Sequence, residues 1–504
     1  MTFWRMQVLI RKVQTTPPID GRVSASRVQQ LAGAIGSVHI DDSERVENMN
    51  QQRFVSETDI RGMFSEAMSQ MYREEVPLYA DLLDIVLDAN ARFLAANPRF
   101  SANLDHYDDF HRIGQERHGA IRLGTPAELS MMRRVLAVMG MRPVGYYDLS
   151  LAGVPVHSTA FRPIDPDSLN RNPFRLFTSL LRLELIDDQG LRDEAKKLLA
   201  QRKIYSDQAV SFVEQFERDG GLDAPSAQSF VDAVLETFRW HGEALVDSRT
   251  YAKLHNAHRL IADVVCFKGP HINHLTPRTL DIDTAQQAMQ ARGMGAKAVI
   301  EGPPRRAVPI LLRQTSFKAL EEKIRFHADA SDANGTHTAR FGEIEQRGLA
   351  LTRKGRALYD TLLHEARGGG SRDPDYQLRL ERAFQQFPDD LNEIRREGLG
   401  YFRYHLAKNS TLHSDQPFDL EALIKTGAVE TTPILYEDFL PVSAAGIFQS
   451  NLGGTEQKVY SVTHEQAAFE DALGAAVADP FSLYESIEQE SIATLRAALC
   501  GSPI

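Results

Sequence analysis

Two stretches of the chain share one layout, and this internal repeat restricts the fold more than any other feature of the sequence. In the first stretch His118 precedes Arg122 by four residues, and in the second His274 precedes Arg278 by the same spacing. Each stretch is followed by a helical pattern that ends at a glycine, and then by segments with strand character. Duplicated units of strand, helix and strands predict one core built from two related modules.

The elements of each copy follow from local patterns of apolar, small and polar residues. A helix is predicted over 127–138 in the first copy and over 284–292 in the second, where Asp281 or Asp283 can act as the N-cap. The strand predictions all follow these helices and cover 144–149 and 154–161 in the first copy, and 298–301, 308–314 and 336–344 in the second. Each copy thus has the order strand, helix and strands, and the predicted fold class is α+β.

The two histidines of the repeat are candidate metal ligands. Each histidine precedes its repeat helix and is expected near the start of a short strand, where its side chain projects from one face of a sheet and an ion can lie. A lone buried histidine, however, is more often a core residue with satisfied hydrogen bonds. His271 is the rival of His274; three residues apart on a strand they point to opposite faces, so at most one of them binds this ion. His106 and His111, which lie among aspartates, are interpreted as part of a solvated loop.

This repeated layout with histidines resembles the vicinal oxygen chelate superfamily, in which two βαβββ modules curve into a sheet that surrounds one metal ion. From about Met49 to Gly453 the chain is also similar to the 2-oxoadipate dioxygenase/decarboxylase family. Four motifs carry this resemblance: His-Gly-Ala-Ile-Arg-Leu-Gly-Thr at 118–125, Ile-Asn-His-Leu-Thr-Pro-Arg at 272–278, Phe-Gly-Glu-Ile-Glu-Gln-Arg-Gly at 341–348, and the segment 437–448, which begins Glu-Asp-Phe-Leu-Pro-Val.

The resemblance implies a metal site made of His118, His274 and Glu343. Glu345 lies two residues further along the same predicted strand and would face the same side, so it stays an alternative ligand. The resemblance also implies that Arg122 is the substrate arginine, because a planar guanidinium can pair with a carboxylate through two hydrogen bonds. The alternative for Arg122 is a salt bridge at the surface.

Two further positions stay open at the level of sequence. The resemblance implies a backbone contact to the substrate near Val442. Arg278 occupies the place in the second copy that Arg122 occupies in the first, but Pro277 and the corner beside it leave its direction undecided. The implied catalytic set is His118, Arg122, His274 and Glu343, and the implied substrate contacts come from His118, Arg122, His274 and Val442.

Two imidazoles and one carboxylate leave positions open on an octahedral ion, which suits non-haem Fe(II); manganese, cobalt and zinc are compatible with the same ligand types. The resemblance implies an Fe(II)-dependent dioxygenase of lysine catabolism that decarboxylates 2-oxoadipate and hydroxylates the shortened acid to D-2-hydroxyglutarate. Its partners would be a 2-oxo diacid and O2, without a separate 2-oxoglutarate. The alternatives are a glyoxalase-type metal-dependent isomerase or lyase on the same fold, and a non-catalytic protein that binds a small molecule.

Charge and cysteine content exclude several other classes. Lysine and arginine number 57 against 68 aspartates and glutamates, so the net charge is −11. The sequence contains no block of basic residues, so nucleic-acid binding is not predicted. Two cysteines allow at most one disulfide and indicate a reducing compartment. No apolar run is long enough to span a membrane, and arginines at 5 and 11 interrupt any signal-peptide core. We expect a cytoplasmic protein of undetermined oligomeric state.

The chain divides into six predicted segments. In order they are a disordered extension over 1–48, a helical N-terminal region over 49–108, a first βαβββ module over 109–163, a helical insertion over 164–250, a second module over 251–348 and a mixed helical C-terminal subdomain over 349–504. Helices are predicted in the insertion and the C-terminal subdomain over 174–185, 191–201, 206–217, 224–238, 374–408 and 481–499.

Overall fold

The structure, a computed structural model, describes most of the chain from Phe54 onward. The described residues are 54–98, 110–150, 153–317, 320–326, 333–338, 340–366, 375–408, 410, 418–440 and 465–499. Four predictions fall outside them: the extension over 1–48, the loop around His106, the substrate contact near Val442, and a flexible joint that the Gly-Gly-Gly-Ser stretch at 368–371 indicates. Residues 110–115, which include His111 of the predicted loop, are described and form a helix instead.

The helices of the described residues lie where apolar side chains recur at helical spacing. In chain order they are α1 (Glu57–Glu75), α2 (Leu78–Ala96), α3 (Phe110–Gln115), α4 (Pro126–Ala137), α5 (Pro166–Arg171), α6 (Gln189–Gln201), α7 (Asp207–Asp219), α8 (Ala224–Leu235), α9 (Ser248–Ala257), α10 (Arg259–Val265), α11 (Ile282–Ala291), α12 (Arg353–Ala366), α13 (Tyr376–Ala383), α14 (Leu391–Arg396), α15 (Leu420–Lys425), α16 (Gln466–Leu473) and α17 (Pro480–Leu499). Short 3₁₀ turns cover Leu183–Leu185, Glu236–Phe238 and Phe384–Gln386.

The strands are short, and nearly all of them come from the two repeat copies and the segments that follow them. In chain order they are β1 (Arg117–Leu123), β2 (Arg142–Asp148), β3 (Val156–Arg162), β4 (Phe174–Leu181), β5 (Glu243–Ala244), β6 (His274–Pro277), β7 (Leu312–Ser316), β8 (Glu321–Phe326), β9 (Ala333–Thr338), β10 (Glu343–Arg347), β11 (Phe402–Leu406) and β12 (Val429–Pro433).

A five-stranded sheet with the order β2-β3-β4-β1-β6 positions the candidate site. Strand β1 runs parallel to β4 and antiparallel to β6, while β2, β3 and β4 are antiparallel neighbours. Strands β7 and β10 form a second, antiparallel pair. A single bridge between Arg278 and Glu345, and a 2.8 Å hydrogen bond from Thr279 N–H to the Glu345 carbonyl, place β10 beside the end of β6.

Side chains of the five-stranded sheet alternate between two hydrophobic cores. On β4, Leu176 and Leu180 enter one core, which we call the rear core and which also contains apolar side chains of α1, α2, α4, α7, α8 and α11. Phe177 and Leu181 enter the front core, together with side chains of α6, α9, α10 and the C-terminal segments. Ala120 belongs to the front core as well, so the even-numbered residues of β1, including His118, face that side.

Short polar side chains cap the two repeat helices as the sequence predicts. Thr125 caps α4, where its hydroxyl accepts a 3.2 Å hydrogen bond from the N–H three residues on. Asp281, and not Asp283, caps α11 through the equivalent 3.1 Å bond. After each helix a glycine adopts a left-handed backbone, with φ of 67° at Gly140 and 68° at Gly293. The two repeat helices therefore begin and end by the same local chemistry.

The prediction of a helix over 174–185 is wrong. Residues 174–181 form β4, which pairs with β1 on one side and with β3 on the other. All eight residues of β4 are buried, and a continuous apolar run of this length does not distinguish a buried strand from a buried helix. Strand β4 is the third strand after α4, whereas the strand ranges predicted after this helix are only two, 144–149 and 154–161.

The predicted helices agree more closely with the structure than the strands predicted in the second copy, where 298–301 forms no strand and the single range 336–344 covers the end of β9 and the start of β10. Helices α4, α6, α7, α8, α11 and α17 lie within a few residues of their predicted ranges. The prediction of helix over 374–408 is only partly right, because residues 402–406 form β11, which pairs with β12. The six segment boundaries stay predictions.

No helix among the described residues is long and apolar enough to cross a bilayer. The cytoplasmic location expected from the sequence stays a prediction.

Gly348 allows two backbone segments to cross directly after β10. A Cβ atom added to Gly348 would lie 2.3 Å from the carbonyl carbon and oxygen of Pro309, closer than any side chain can approach. The Gly348 N–H donates to the Leu311 carbonyl, and its own carbonyl accepts from the Tyr436 N–H, each at 2.8 Å. The crossing therefore requires glycine and holds the end of β10 in place.

We expect Gly348→Ala to lower the unfolding temperature, because overpacking at a site that cannot relax costs about 1–3 kcal/mol. Differential scanning calorimetry measures the change. The control is Gly269→Ala, where nothing lies within 4 Å of the added carbon and the unfolding temperature should stay unchanged. Equal unfolding temperatures for the two variants would contradict the close backbone crossing.

Candidate metal centre

Antiparallel pairing of the two repeat strands brings the two histidines together. In the register of β1 with β6, His118 lies opposite Thr276 and Ala120 lies opposite His274. The two imidazoles therefore occupy neighbouring positions on the front face, with ring centroids 5.2 Å apart and planes at 85°. The same pairing places Arg122 and Arg278 at opposite ends of the strand pair, because each follows its histidine by four residues on strands that run in opposite directions.

Strand β10 supplies a carboxylate to the same place. One ligand atom each from His118, His274 and Glu343 lie within 4.8 Å of one another. All three side chains are buried, with relative exposures of 1%, 5% and 1%. Two imidazoles and one carboxylate that face a common point inside a protein are a suitable donor set for a divalent transition-metal ion. The residues present therefore fit the metal that the sequence predicts.

Hydrogen bonds hold the Glu343 carboxylate in this position. Its Oε1 atom accepts from the Thr276 hydroxyl at 2.9 Å and from the Gln314 side-chain amide at 3.0 Å, and it lies 3.1 Å from Nε2 of His118. Thr276 comes from β6 and Gln314 from β7, the two strands that flank β10. The carboxylate is thus oriented before any ion binds, which reduces the ordering cost of ion binding.

The other nitrogen of the His118 ring contacts a second carboxylate. Nδ1 of His118 lies 3.0 Å from Oε2 of Glu345, and the Arg347 guanidinium in turn holds Glu345 through two 2.9 Å bonds. A carboxylate behind a metal-binding histidine fixes the tautomer and the ring orientation and increases the basicity of the ligand. This geometry favours Glu343 as the ligand, and we infer that Glu345, the alternative ligand, orients His118.

A hydroxyl plays the corresponding role for His274. Nδ1 of His274 is 2.9 Å from the Thr276 oxygen, and that hydroxyl donates its hydrogen to Glu343. The hydroxyl oxygen is then the acceptor of a hydrogen bond from the His274 Nδ1–H, a tautomer that we assign from the network. Nε2 of both histidines is therefore the nitrogen available to an ion.

Burial and the neighbouring charges shift the pKa values of the four groups. Burial opposes the charge on His118, but the carboxylates of Glu345 and Glu343 outweigh it and raise the pKa of His118 above 6.5. Burial lowers the pKa of His274 to about 4, so its ring is neutral at physiological pH. Although burial alone would raise the pKa of both glutamates, the adjacent histidines lower it for Glu343, and Arg347 together with His118 lowers it to about 2 for Glu345.

Aromatic side chains cover the two imidazoles. The Phe439 ring meets His118 edge-to-face at 4.9 Å, and the Phe341 ring lies 5.0 Å from His274. Phe439 also lines a cavity of about 490 Å³ together with Tyr147 and Tyr484. The histidines are therefore shielded from water on these sides, which strengthens the electrostatic interactions at the site.

A buried network of charges adjoins the site at the Arg278 end of the strand pair. Glu116, two residues before His118 on the same face, pairs with Arg175 at 2.8 Å and with Arg278 at 3.0 Å, and lies 3.4 Å from Arg347. Burial alone would raise the pKa of Glu116, but these arginines hold it well below its usual range. The Arg278 side chain, whose direction the sequence left undecided, points into this network.

Arg122 lies at the other end of β1 and is buried, with 3% relative exposure. Its Nη1 atom donates to Oδ2 of Asp263 at 2.5 Å. The alternative of a surface salt bridge is thus excluded. Arg122 also lies close enough to His274 for its charge to contribute to the lowered pKa of that imidazole.

His271, the rival ligand, is not part of the cluster formed by His118, His274 and Glu343. It faces Asp263, with Nε2 of His271 3.4 Å from the carboxylate. Sequence reasoning missed the supporting roles of Thr276, Gln314 and Asp263. Thr276 had a usable signal, since it lies two residues after His274 on the same face of a short strand.

Three comparisons with known proteins give one result. Residues 64–451 match the family model described as 2-oxoadipate dioxygenase/decarboxylase. The chain is 54% identical over 455 residues to the protein of that name from Pseudomonas putida, with 88% of this chain and 98% of the relative covered, and 55% identical over 440 residues to its namesake from Escherichia coli K12, with 87% and 98% covered. A crystal structure of the hydroxyglutarate synthase from Pseudomonas putida in complex with 2-oxoadipate matches with a TM-score of 0.82 and 51% identity, over 89% of this chain and 99% of that chain.

The first prediction from this geometry concerns Glu345. We expect Glu345→Gln to weaken the binding of a divalent metal ion by about 10–100-fold, because the amide cannot hold the His118 ring as a carboxylate does. Calorimetric titration of metal-free protein with Mn(II) measures the affinity. The control is Glu430→Gln, a change at an exposed position on β12 that should leave the affinity unaltered. Equal affinities for Glu345→Gln and the unchanged protein would contradict the orienting role.

The second prediction concerns pH. An ion binds His118 only in its neutral form, and the pKa of His118 is raised, so the metal affinity should increase with pH and level off above that raised pKa. His274 is already neutral and should contribute no such dependence. Below the pKa of His118, about one proton should be released per ion bound. Titrations in buffers of different ionisation enthalpy measure the released protons. The ordinary histidine pKa is about 6.5, so a metal affinity that does not change between about pH 6 and about pH 8 would contradict the assignment.

Proposed function

Because the chain belongs to the 2-oxoadipate dioxygenase/decarboxylase family, we propose that it oxidises 2-oxoadipate with dioxygen and releases 2-hydroxyglutarate and carbon dioxide. The observation that carries this proposal is the convergence of His118, His274 and Glu343 at one buried point within the residues that match the family. The reaction balances: a six-carbon 2-oxo diacid and O2 contain the same atoms as a five-carbon hydroxy diacid and CO2.

The ion would be Fe(II), and Nε2 of His118, Nε2 of His274 and the Glu343 carboxylate would hold it. Two imidazoles and one carboxylate are the donor set of non-haem Fe(II) sites that also accept substrate and dioxygen. When bound, Fe(II) would activate dioxygen for reaction with the 2-oxo acid, and 2-oxoadipate itself would be the source of the electrons that reduce O2. The protein supplies the orientation of the ligands through Glu345 and Thr276, and excludes water with Phe439 and Phe341.

Arg122 binds the carboxylate at the far end of the diacid. It follows His118 by four residues on β1, so the two Cα atoms are about 13 Å apart along the strand, a separation that the two side chains and an extended six-carbon acid can bridge. A buried guanidinium pairs with a carboxylate more strongly than an exposed one because water competes less. His118, Arg122, His274 and Glu343 form the proposed catalytic set.

The substrate contacts come from His118, Arg122 and His274, joined by the backbone at Val442. The contact at Val442 is carried over from the family motif over 437–448 and lies outside the described residues. The first four residues of this motif, 437–440, are among the described residues. Asp438 pairs with Arg162 at 2.7 Å, and Phe439 covers His118. The position of Phe439 at the site supports the proposal that this motif takes part in substrate binding.

The fold that suits this function is a pair of βαβββ modules of the vicinal oxygen chelate type around one ion. The first module would contain β1, α4, β2, β3 and β4. The second would contain β6, α11, β7 and β10, with the segment over 296–301, which bridges to Phe317 and Gln314 beside β7, in the place of its remaining strand. The antiparallel contact of β1 with β6 supports this assignment, since it relates the first strands of the two modules by a local two-fold axis. The six segments predicted from the sequence are kept as the proposed division of the chain, with β4 added to the first module.

The decisive experiment is anaerobic loading with Fe(II), followed by addition of 2-oxoadipate and O2. We expect equimolar consumption of oxygen and release of CO2, with 2-hydroxyglutarate as the product. The control is Glu343→Ala, which should consume no oxygen because it cannot hold the ion. Product formation without oxygen uptake would instead indicate an isomerase or lyase, and 2-oxoadipate left unchanged in air by iron-loaded protein would refute the proposed reaction.

A further inference from the structure

We propose that Asp263 is a positioning residue that anchors Arg122 and thereby sets the length of diacid that the site accepts. This inference rests on the proposed function, in which Arg122 binds the distal carboxylate. Asp263 lies on α10, outside the strands that carry the site, and neither the sequence motifs nor the metal cluster includes it.

Asp263 is the charged residue in an otherwise apolar part of α10. Leu260, Ile261, Ala262, Val264 and Val265 surround it in sequence, and all of them are buried. Asp263 itself is only 3% exposed. Burial of an ionised carboxylate costs several kcal/mol unless charged or hydrogen-bonded partners compensate for the lost water. The contacts of Asp263 must therefore compensate for the burial of its charge.

The two oxygens of Asp263 have different partners. Oδ2 accepts the 2.5 Å hydrogen bond from Nη1 of Arg122, while Oδ1 lies 2.9 Å from Nε2 of His337 and 3.4 Å from Nε2 of His271. Burial alone would raise the pKa of Asp263, but His271, Arg122 and His337 hold it well below its usual range. The carboxylate is therefore ionised, and one of its oxygens is committed to Arg122.

The histidines behind Asp263 are themselves fixed. Nδ1 of His337 lies 2.9 Å from the Tyr251 hydroxyl, and the Trp240 ring is parallel to the His337 ring at 5.9 Å, with 4° between the planes. Trp240 also meets the His271 ring edge-to-face at 4.7 Å. These residues come from α9, β9 and the segments before β5 and β6. Asp263 is thus clamped by several separate parts of the chain.

This clamp has a consequence for substrate selection. An arginine side chain has several rotatable bonds, so an unanchored guanidinium can follow the carboxylate of a shorter or longer acid. With Nη1 held by a fixed carboxylate, the separation between the guanidinium of Arg122 and the ion held at His118 is set by the protein. Only a diacid of matching length then reaches both ends without distortion, and the prior ordering of Arg122 lowers the entropic cost of binding.

The test is Asp263→Asn, which keeps the shape of the side chain but removes its charge. We expect KM for 2-oxoadipate to rise about tenfold or more with kcat changed by less than about threefold, since the loss concerns binding and not the ion. We also expect the preference for 2-oxoadipate over 2-oxoglutarate and 2-oxopimelate, one carbon shorter and longer, to fall several-fold. The affinity of the anaerobic Mn(II)-loaded protein for 2-oxoadipate, measured by calorimetry, should fall with the rise in KM.

The matched control is Asp283→Asn, which makes the same chemical change at another paired carboxylate. The oxygens of Asp283 lie 2.7 and 3.1 Å from the guanidinium nitrogens of the buried Arg313, and Asp283 lies on α11, which follows the Arg278 end of β6. Asp283→Asn should lower the unfolding temperature as Asp263→Asn does, yet leave KM and the length preference unchanged. A rise in KM in both variants would overturn the proposal, because general destabilisation would then explain the effect.

A double variant separates direct from indirect action. If Asp263 acts only through Arg122, then Arg122→Met combined with Asp263→Asn should have the same kcat/KM as Arg122→Met alone, within about twofold. A further loss in the double variant would overturn the anchoring role. Should Asp263→Asn fail to fold, His337→Gln keeps the acid but loosens its clamp, and an unchanged KM and length preference in that variant would overturn the proposal equally.

Failure of the proposed reaction remains distinguishable from failure of this inference. Iron-loaded wild-type protein that binds 2-oxoadipate without consuming it would refute the reaction. The calorimetric comparison of wild type with Asp263→Asn would still decide whether Asp263 anchors Arg122, because it measures binding and requires no turnover.

Discussion

The antiparallel contact between β1 and β6 is the constraint on which the candidate site depends. These are the first strands of the two repeat copies, and their pairing brings His118 and His274 to neighbouring positions on one face. The same contact sends Arg122 and Arg278 to opposite ends of the strand pair. Two similar sequences thus acquire different roles, because direction along an antiparallel pair distinguishes the two ends even where the local residues are alike.

Charge burial is the second organising principle of the site. Glu116, Glu345 and Asp263 are all ionised in a nearly dry interior, and each is held by arginines or histidines at hydrogen-bonding distance. Replacement of such pairs by apolar residues often stabilises a protein, so these pairs are poorly explained by stability alone. Their common property is that each fixes a group at the site: Glu345 orients His118, Asp263 orients Arg122, and Glu116 gathers the arginines at the far end.

Parts of the chain that looked peripheral in the sequence contribute directly to this arrangement. The region first assigned to a helical insertion supplies β4, which lies in the sheet beside β1. The residues that precede the first strand of the second copy supply α10 and Asp263. The C-terminal region supplies Phe439, which covers His118 from the front. The proposed function therefore requires most of the described chain and not only the two repeat copies.

The sequence by itself determined the local features: the caps and ends of α4 and α11, the alternation that puts His118 and Arg122 on one face, and the donor set of two histidines and a glutamate that the family motifs imply. Each of these depends on residues a few positions apart, where helix and strand periodicity is a property of the chain itself. Only the tertiary structure decided that 174–181 is a strand and that Asp263 holds Arg122. It also decided that Glu345 contacts Nδ1 of His118 while Glu343 contacts Nε2 of the same ring. Glu343 and Glu345 have the same parity on one strand, so no local pattern separates them, and an apolar run such as β4 becomes a strand only through partners distant in sequence.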